Sequence, residues 1–141
     1  MRRLACAVLG LAAVLTAAGQ EAAVRLSVPG VKPGGGTVYA AVFDSSEGYR
    51  KNLPFRTLTL PPSAPTMEAA LSLPPGEYVF SLYQDLNSNG KLDTNFIGIP
   101  REPVGISNYD GKGPPGGFDK QKVRVSAGGI VLEIRLIAIN P

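Results

Sequence analysis

Seven short segments of this chain resemble β-strands, and clusters of proline and glycine separate them. Six of the segments alternate apolar with polar residues, and one is apolar throughout. In the first segment, Val24, Leu26 and Val28 alternate with Arg25 and Ser27. A period of two residues is typical of an extended strand with one buried face, and no segment repeats its apolar residues with the period of a helix. The other six segments are 37–43, 57–60, 67–73, 78–83, 122–125 and 130–136.

Short strands at regular spacing are typical of antiparallel sandwiches. The sequence therefore predicts a single all-β domain over residues 20–141, an antiparallel β-sandwich of about seven strands, immunoglobulin-like or transthyretin-like. A small barrel is the alternative. Segment 37–43 is apolar on both faces, which indicates an interior strand. We expect no helix longer than two turns.

Residues 1–19 have the pattern of a secretory signal peptide. The segment starts with Arg2 and Arg3, continues with an apolar stretch, and ends in small residues that offer a cleavage site between Gly19 and Gln20. The apolar stretch is shorter than the roughly 20 residues of a membrane span, and no later segment approaches that length. The sequence thus predicts a periplasmic or secreted protein without a membrane span.

Composition narrows the chemistry that the exported part can perform. Without Arg2 and Arg3, 12 Lys and Arg stand against 11 Asp and Glu, a net charge of +1, so a nucleic-acid partner has no electrostatic support. Histidine is absent, and the one cysteine, Cys6, lies in the signal segment. Ser-His-Asp and Cys-His nucleophiles and the usual zinc ligand sets are therefore excluded. We expect a protein that is not an enzyme.

One connection, 85–119, is far longer than the others and has no sustained alternation. Structureless loops longer than about 15 residues are uncommon in compact domains and are usually functional or disordered. This one contains apolar residues that would anchor it, which predicts a long folded loop over one end or face of the sandwich. The expected anchors are Phe96, Ile97, Ile99, Val104, Ile106 and Phe118.

The start of this loop has oxygen-bearing side chains at positions one, three, five and nine and glycine at position six, the pattern of an EF-hand-type calcium loop. The predicted ligands are the side chains of Asp85, Asn87, Asn89 and Asp93 and the carbonyl oxygen of Lys91. Asn95, Glu102 or a water would complete the shell. Position twelve is Phe96 instead of glutamate, which predicts weak affinity, ~0.1–1 mM. The alternative interpretation is a plain turn, because Asn, Asp and Gly tolerate left-handed backbone and cap it.

The string from Asp85 through Gly98-Ile99-Pro100 to Ser107-Asn108 resembles a family of small secreted bacterial proteins classed as a domain of unknown function. The resemblance covers most of the exported part, and it implies no activity. The strand entry at residues 75–78, Pro-Gly-Glu-Tyr, is also similar to that of collagen-adhesin B-type and transthyretin-like sandwich domains. Some of those domains carry a similar loop that binds calcium, so this second resemblance implies the fold and allows the metal.

Three functional hypotheses follow. The first is a non-catalytic interaction module of the cell envelope that binds an envelope protein, with a loop stiffened by calcium. The second is a binder of a small molecule or polysaccharide through the long loop, for which Tyr49 and Tyr109 are the expected surface aromatics. The third is a hydrolase that uses the loop carboxylates Asp85, Asp93 and Glu102, which would need two of them about 5–9 Å apart across a cleft.

Overall fold

The computed structural model of the protein describes residues 19–139 and contains eight strands and two short helices. The strands are β1 (Ala22–Pro29), β2 (Val38–Phe43), β3 (Arg56–Leu60), β4 (Thr66–Leu73), β5 (Gly76–Gln84), β6 (Val104–Ile106), β7 (Val123–Val125) and β8 (Ile130–Glu133). The helices are α1 (Ser46–Lys51) and α2 (Phe118–Gln121). The signal-peptide prediction falls almost entirely on residues 1–18, which lie outside the described residues.

The strands form two separate sheets, which confirms the sandwich. One sheet has three strands in the order β4-β1-β8, and the other has the order β3-β2-β5-β6 with β7 also paired to β5. β2 is an interior strand, as its two apolar faces predicted. Five of the six strand pairings are antiparallel, and the pairing of β1 with β8 is parallel. Residues 19–139 contain no helix of the length and apolar character that crossing a membrane requires.

The main core lies between the two sheets and takes the alternate residues that the period of two predicted. Val24, Leu26 and Val28 of β1 are at most 1% exposed, and so are Phe80 and Leu82 of β5. Full burial of such a side chain contributes about 1.5–3 kcal/mol. This core fixes which face of β5 points outward, and the outward positions are Val79, Ser81 and Tyr83.

A second, smaller cluster lies on the outer face of the five-stranded sheet. It contains Phe43, Val79 and Phe118, with Tyr49 of α1 in edge-to-face contact with Phe43 at 5.3 Å between ring centroids. Helix α1 begins where the Ser45 hydroxyl accepts the Gly48 backbone N–H. The two helices thus cover one end of this outer face and leave its other end, around Ser81 and Tyr83, to the long loop.

The predicted loop 85–119 is folded, but it is not all loop. Residues 104–106 form β6, which pairs with β5, and the C-terminal segment adds a bridge between Val104 and Ile137. A three-residue strand shows too little alternation to be recognised from the sequence. Phe118 begins α2, a single turn that also lacks a helical period.

Candidate functional site

The candidate site begins where β5 ends. The backbone N–H of Asp85 donates to the carbonyl of Thr37 at 2.9 Å, so the start of the loop is tied to the entry of β2. Gly36 packs directly against the Asp85 carbonyl at a φ of +105°, and a Cβ at this position would overlap that oxygen. The sheet therefore places Asp85 rigidly, and the residue is only 1% exposed.

The Asp85 carboxylate organises the first turn of the loop. Its Oδ1 accepts the backbone N–H of Asn89 at 3.1 Å, and its Oδ2 accepts that of Gly90 at 2.7 Å. Gly90 has a φ of +79° and Ser88 a φ of +56°, which together close the turn around the carboxylate. The two N–H groups use two of the roughly four acceptor positions of a carboxylate.

Asp93 lies across the turn from Asp85 and binds the two predicted amide ligands. The Asn87 amide donates to Asp93 Oδ2, and the Asn89 amide donates to both Asp93 oxygens at 2.8 and 3.0 Å. These hydrogen bonds, from Asn87 first and then from Asn89, lower the pKa of Asp93 from its ordinary value. The structure thus brings Asp85, Asn87, Asn89 and Asp93 into one turn.

Glu102 is the residue that gives the loop its closed shape. Its Oε1 accepts the backbone N–H of Leu86 at 2.8 Å, and its Oε2 accepts that of Asp93 at 3.1 Å. The side chain is buried, with the residue 4% exposed. From the sequence, Glu102 was an optional further ligand or one of the carboxylates of a hydrolase, and its structural role was not predicted. Its spacing from Asp93 is not a known motif, and the Glu102-Pro103 pair before a strand is the only signal that could have found it.

The donor set fits calcium chemistry, because every side-chain ligand offers oxygen. The side-chain oxygens of Asn87 and Asn89 accept the backbone N–H groups of Asn89 and Lys91, at 3.3 and 3.1 Å, while both amide nitrogens face Asp93. The two oxygens would therefore reach a cation beside Asp93 only if each amide turned over and gave up its bond to the backbone. Over residues 19–139, no group of three or more carboxylates is arranged to hold a metal by itself. Calcium here would therefore depend on the amides and on the Lys91 carbonyl.

Beyond Asp93 the chain forms a closed hairpin loop with an apolar tip. The Asn95 side chain accepts the backbone N–H groups of Ile97 and Ile99, and Thr94 forms a β-bridge with Pro100. Phe96 at the tip is 97% exposed and Ile97 is 63% exposed. The prediction that these two residues anchor the loop is wrong, because the Asn95 turn points them outward. Val104 and Phe118 are buried as expected.

The second half of the loop is fixed by Ser107, which is buried. Its hydroxyl accepts the backbone N–H of Phe80 at 3.1 Å and donates to the Gln121 carbonyl at 2.6 Å. The Gln121 amide donates back to the Ser107 carbonyl at 2.8 Å and accepts the backbone N–H of Gly116. These hydrogen bonds connect strand β5, the long loop and α2, and they satisfy the polar side-chain groups of Ser107 and Gln121. They therefore hold this half of the long loop in place.

Between the two fixed halves of the loop lies an apolar cavity of about 520 Å³ on the outer face of the five-stranded sheet. Its lining includes Ser81 and Tyr83 of β5, Ile97 and Ile99 of the hairpin loop, and Tyr109. A volume of this size falls within the range of small-molecule sites, about 300–1,000 Å³.

A stacked tyrosine pair lies beside this cavity. The rings of Tyr39 and Tyr83 are 5.3 Å apart and nearly parallel, and both side chains are half-buried on the outer face of the sheet. The sequence had singled out Tyr49 and Tyr109 as the surface aromatics. Tyr49 instead packs on Phe43. Neighbouring outward positions on paired strands, Tyr39 opposite Tyr83, are the signal that could have found the pair.

Fold and site together define a class, the small β-sandwich with a long folded loop across one sheet and a polar turn at the start of that loop. A family described as "Uncharacterized protein conserved in bacteria (DUF2141)" matches residues 26–131, and the chain belongs to this family. The comparisons with curated proteins and with solved structures gave no match. The likeness to collagen-adhesin B-type and transthyretin-like domains stays a prediction.

Proposed function

We propose that this protein is an exported, non-catalytic binding module of the cell envelope that contacts an envelope protein through its long loop. Calcium stiffens that loop by binding to Asp85, Asn87, Asn89, Asp93 and the Lys91 carbonyl. The closed hairpin tip supports the proposal, because the Asn95 turn leaves Phe96 and Ile97 exposed to water. Contiguous exposed apolar side chains are typical of binding surfaces.

The observation that carries the metal part is the burial of two carboxylates. Asp85 and Glu102 are 1% and 4% exposed, and no Lys or Arg nitrogen among residues 19–139 lies within 4 Å of either carboxylate. Buried charges in proteins are normally paired with an opposite charge or with a metal. Backbone N–H groups supply part of the compensation, and a divalent cation in the adjoining turn would supply the rest.

The same burial supports a role without catalysis. The oxygens of Asp85 and Glu102 accept backbone hydrogen bonds inside the loop, so these two acids hold the loop in shape. A glycosidase needs two carboxyl groups that face a substrate cleft. Of the three loop acids Asp85, Asp93 and Glu102, only Asp93 is partly exposed to solvent.

Calcium titration followed by thermal melting tests the metal. A ligand that binds only the folded state adds about 2.7 kcal/mol at 100 times its dissociation constant, which corresponds to a rise of roughly 10 °C in melting temperature for a domain of this size. Magnesium at equal concentration is the control, because it requires a tighter octahedral site. An unchanged melting temperature in about 100 mM calcium, 100 times the upper end of the expected ~0.1–1 mM range for the dissociation constant, would show that the turn has only a structural role.

Mass spectrometry of the protein from cell fractions tests the export. A periplasmic or secreted form that starts near Gln20 is the expected result. A full-length chain confined to the cytoplasm would contradict it.

A second candidate function, the binding of a small molecule or polysaccharide, is favoured by the cavity of about 520 Å³ and by the adjacent Tyr39–Tyr83 pair. Aromatic rings beside a cavity offer the apolar faces on which sugar rings and hydrocarbon bodies pack.

A further inference from the structure

The apolar cavity described above has a polar neighbour. A second concave surface of about 550 Å³ adjoins it and shares Ile106, Tyr109 and Pro114 as lining residues. The two therefore adjoin along the segment that carries Tyr109 and Pro114 and make up a two-part depression. We call the first part the apolar cavity and the second part the charged cleft.

The charged cleft has an excess of cationic groups. Its charged lining residues are Lys112, Lys120, Arg135, Asp110 and Glu133. Three cations face two carboxylates, which leaves one net positive charge. None of these five side chains forms an ion pair within 4 Å among the residues that the structure describes. One anionic group in the cleft would bring its charge to zero.

The apolar cavity has few groups that could form hydrogen bonds with a polar ligand. Apart from the hydroxyls of Ser81, Tyr83 and Tyr109, its lining is hydrocarbon and glycine backbone. The Tyr109 hydroxyl already donates to the Gly113 carbonyl at 2.6 Å. An engineered cavity of about 150 Å³ holds benzene, so a cavity of about 520 Å³ accommodates a hydrocarbon body of roughly a dozen carbon atoms or more.

We propose that this depression binds a monoanionic amphiphile, with its hydrocarbon body in the apolar cavity and its anionic head group in the charged cleft. Charge complementarity selects this ligand over a neutral lipid, and the hydrocarbon lining selects it over a saccharide. The inference rests on the second candidate function, the binding of a small molecule by the long loop, and names the class of that molecule. It does not require calcium.

Titration calorimetry with dodecanoate, in buffer with a chelator so that no calcium soap forms, tests the proposal. We expect saturable one-to-one binding of dodecanoate to the wild-type protein, and affinities at least about fivefold lower for dodecanol, which has the same chain without the charge. Equal affinities for the two compounds would overturn the head-group assignment and with it the proposal.

Two substitutions locate the ligand. Ser81→Phe places a ring on the floor of the apolar cavity and should abolish dodecanoate binding, whereas Ser72→Phe on the exposed face of β4 should leave it unchanged. Arg135→Gln in the charged cleft should weaken dodecanoate binding about threefold or more, and the matched Arg124→Gln on β7 should not. Thermal melting confirms that each variant is folded.

Three further results would contradict the proposal. Binding that survives Ser81→Phe places the amphiphile elsewhere on the protein. Failure of dodecanoate to bind while maltohexaose binds overturns the ligand class and keeps the loop as a small-molecule surface. If neither dodecanoate nor maltohexaose binds, the second candidate function is also wrong. The calcium-stabilised binding module is unaffected by that result, because calcium titration and thermal melting test it separately.

Discussion

The carboxylate of Glu102 accepts a hydrogen bond from the backbone N–H of Asp93, with 3.1 Å between Oε2 and the nitrogen. Its other oxygen accepts the N–H of Leu86 at 2.8 Å, so one buried side chain closes the polar turn at both ends. The two hydrogen bonds of Glu102 therefore fix the ends of the turn, and the proposed calcium ion would stiffen the residues between them. A binding surface that is already rigid loses little conformational entropy when it binds.

Glu102→Gln should lower the free energy of unfolding by about 1–3 kcal/mol. The substituted amide keeps one acceptor oxygen, and one of the two backbone N–H groups loses its buried partner. Urea unfolding measures the loss, and hydrogen exchange should show faster exchange at Leu86 or Asp93. Glu68→Gln, on the exposed face of β4, is the control and should change stability by less than about 0.5 kcal/mol.

Asp85→Ala and Asp93→Ala should each abolish the rise in melting temperature that calcium produces, because each removes a charged ligand from the turn. Ser88→Ala should preserve that rise, since Ser88 occupies an even position, which contributes no ligand in an EF-hand-type loop. Lys91→Ala should also preserve it, because Lys91 would contribute only its carbonyl. Loss of the calcium effect in Lys91→Ala would show that the ligands are not those of an EF-hand-type loop.

Acid should weaken the native state through Asp93. Its folded pKa is lowered below the unfolded value of 3.8, so its contribution to stability is present above that value and is lost as the pH falls through the folded pKa. Urea unfolding at pH 7 and at pH 2 should therefore show a smaller acid-induced loss in Asp93→Asn than in the wild type. Equal losses in the two proteins would mean that the amides of Asn87 and Asn89 do not hold Asp93 in solution.

Gly36→Ala should destabilise the protein by at least about 3 kcal/mol, because the added Cβ overlaps the Asp85 carbonyl and the φ is positive. Gly34→Ala is a matched control. Its φ of +72° carries a similar backbone cost, but no atom lies within 4 Å of the added Cβ, so we expect a loss of about 1–2 kcal/mol. Similar melting temperatures for the two variants would contradict the close contact at Asp85.

Phe96→Ala should leave the free energy of unfolding within about 0.5 kcal/mol of the wild type, because the ring is 97% exposed. Phe118→Ala should cost about 3 kcal/mol or more, because that ring fills the cluster on the outer face of the sheet. If Phe96 belongs to the partner-binding surface, Phe96→Ala should still lose binding. A large loss of stability in Phe96→Ala would show that the tip packs inward.

The strands were predictable because their signal is local. The alternation of apolar and polar residues in β1 and β5 predicts which side chains are buried, and the proline and glycine clusters predict where the chain turns. The polar turn was predictable for the same reason, since Asp85, Asn87, Asn89 and Asp93 lie within nine residues. The oxygen-bearing positions were visible in the sequence, although calcium binding itself is a proposal.

Tertiary structure alone decided the rest. The parallel pairing of β1 with β8 joins segments about a hundred residues apart, and no local pattern encodes the direction of such a pairing. The closure of the turn by Glu102, the outward tip at Phe96 and the two-part depression beside Tyr109 all depend on the path of the loop over the sheet. That path is set by distant partners, such as Phe80 for Ser107 and Thr37 for Asp85. Residue order determines the strands and the oxygen-bearing side chains of the turn, but only the packed sheets determine where the long loop places them.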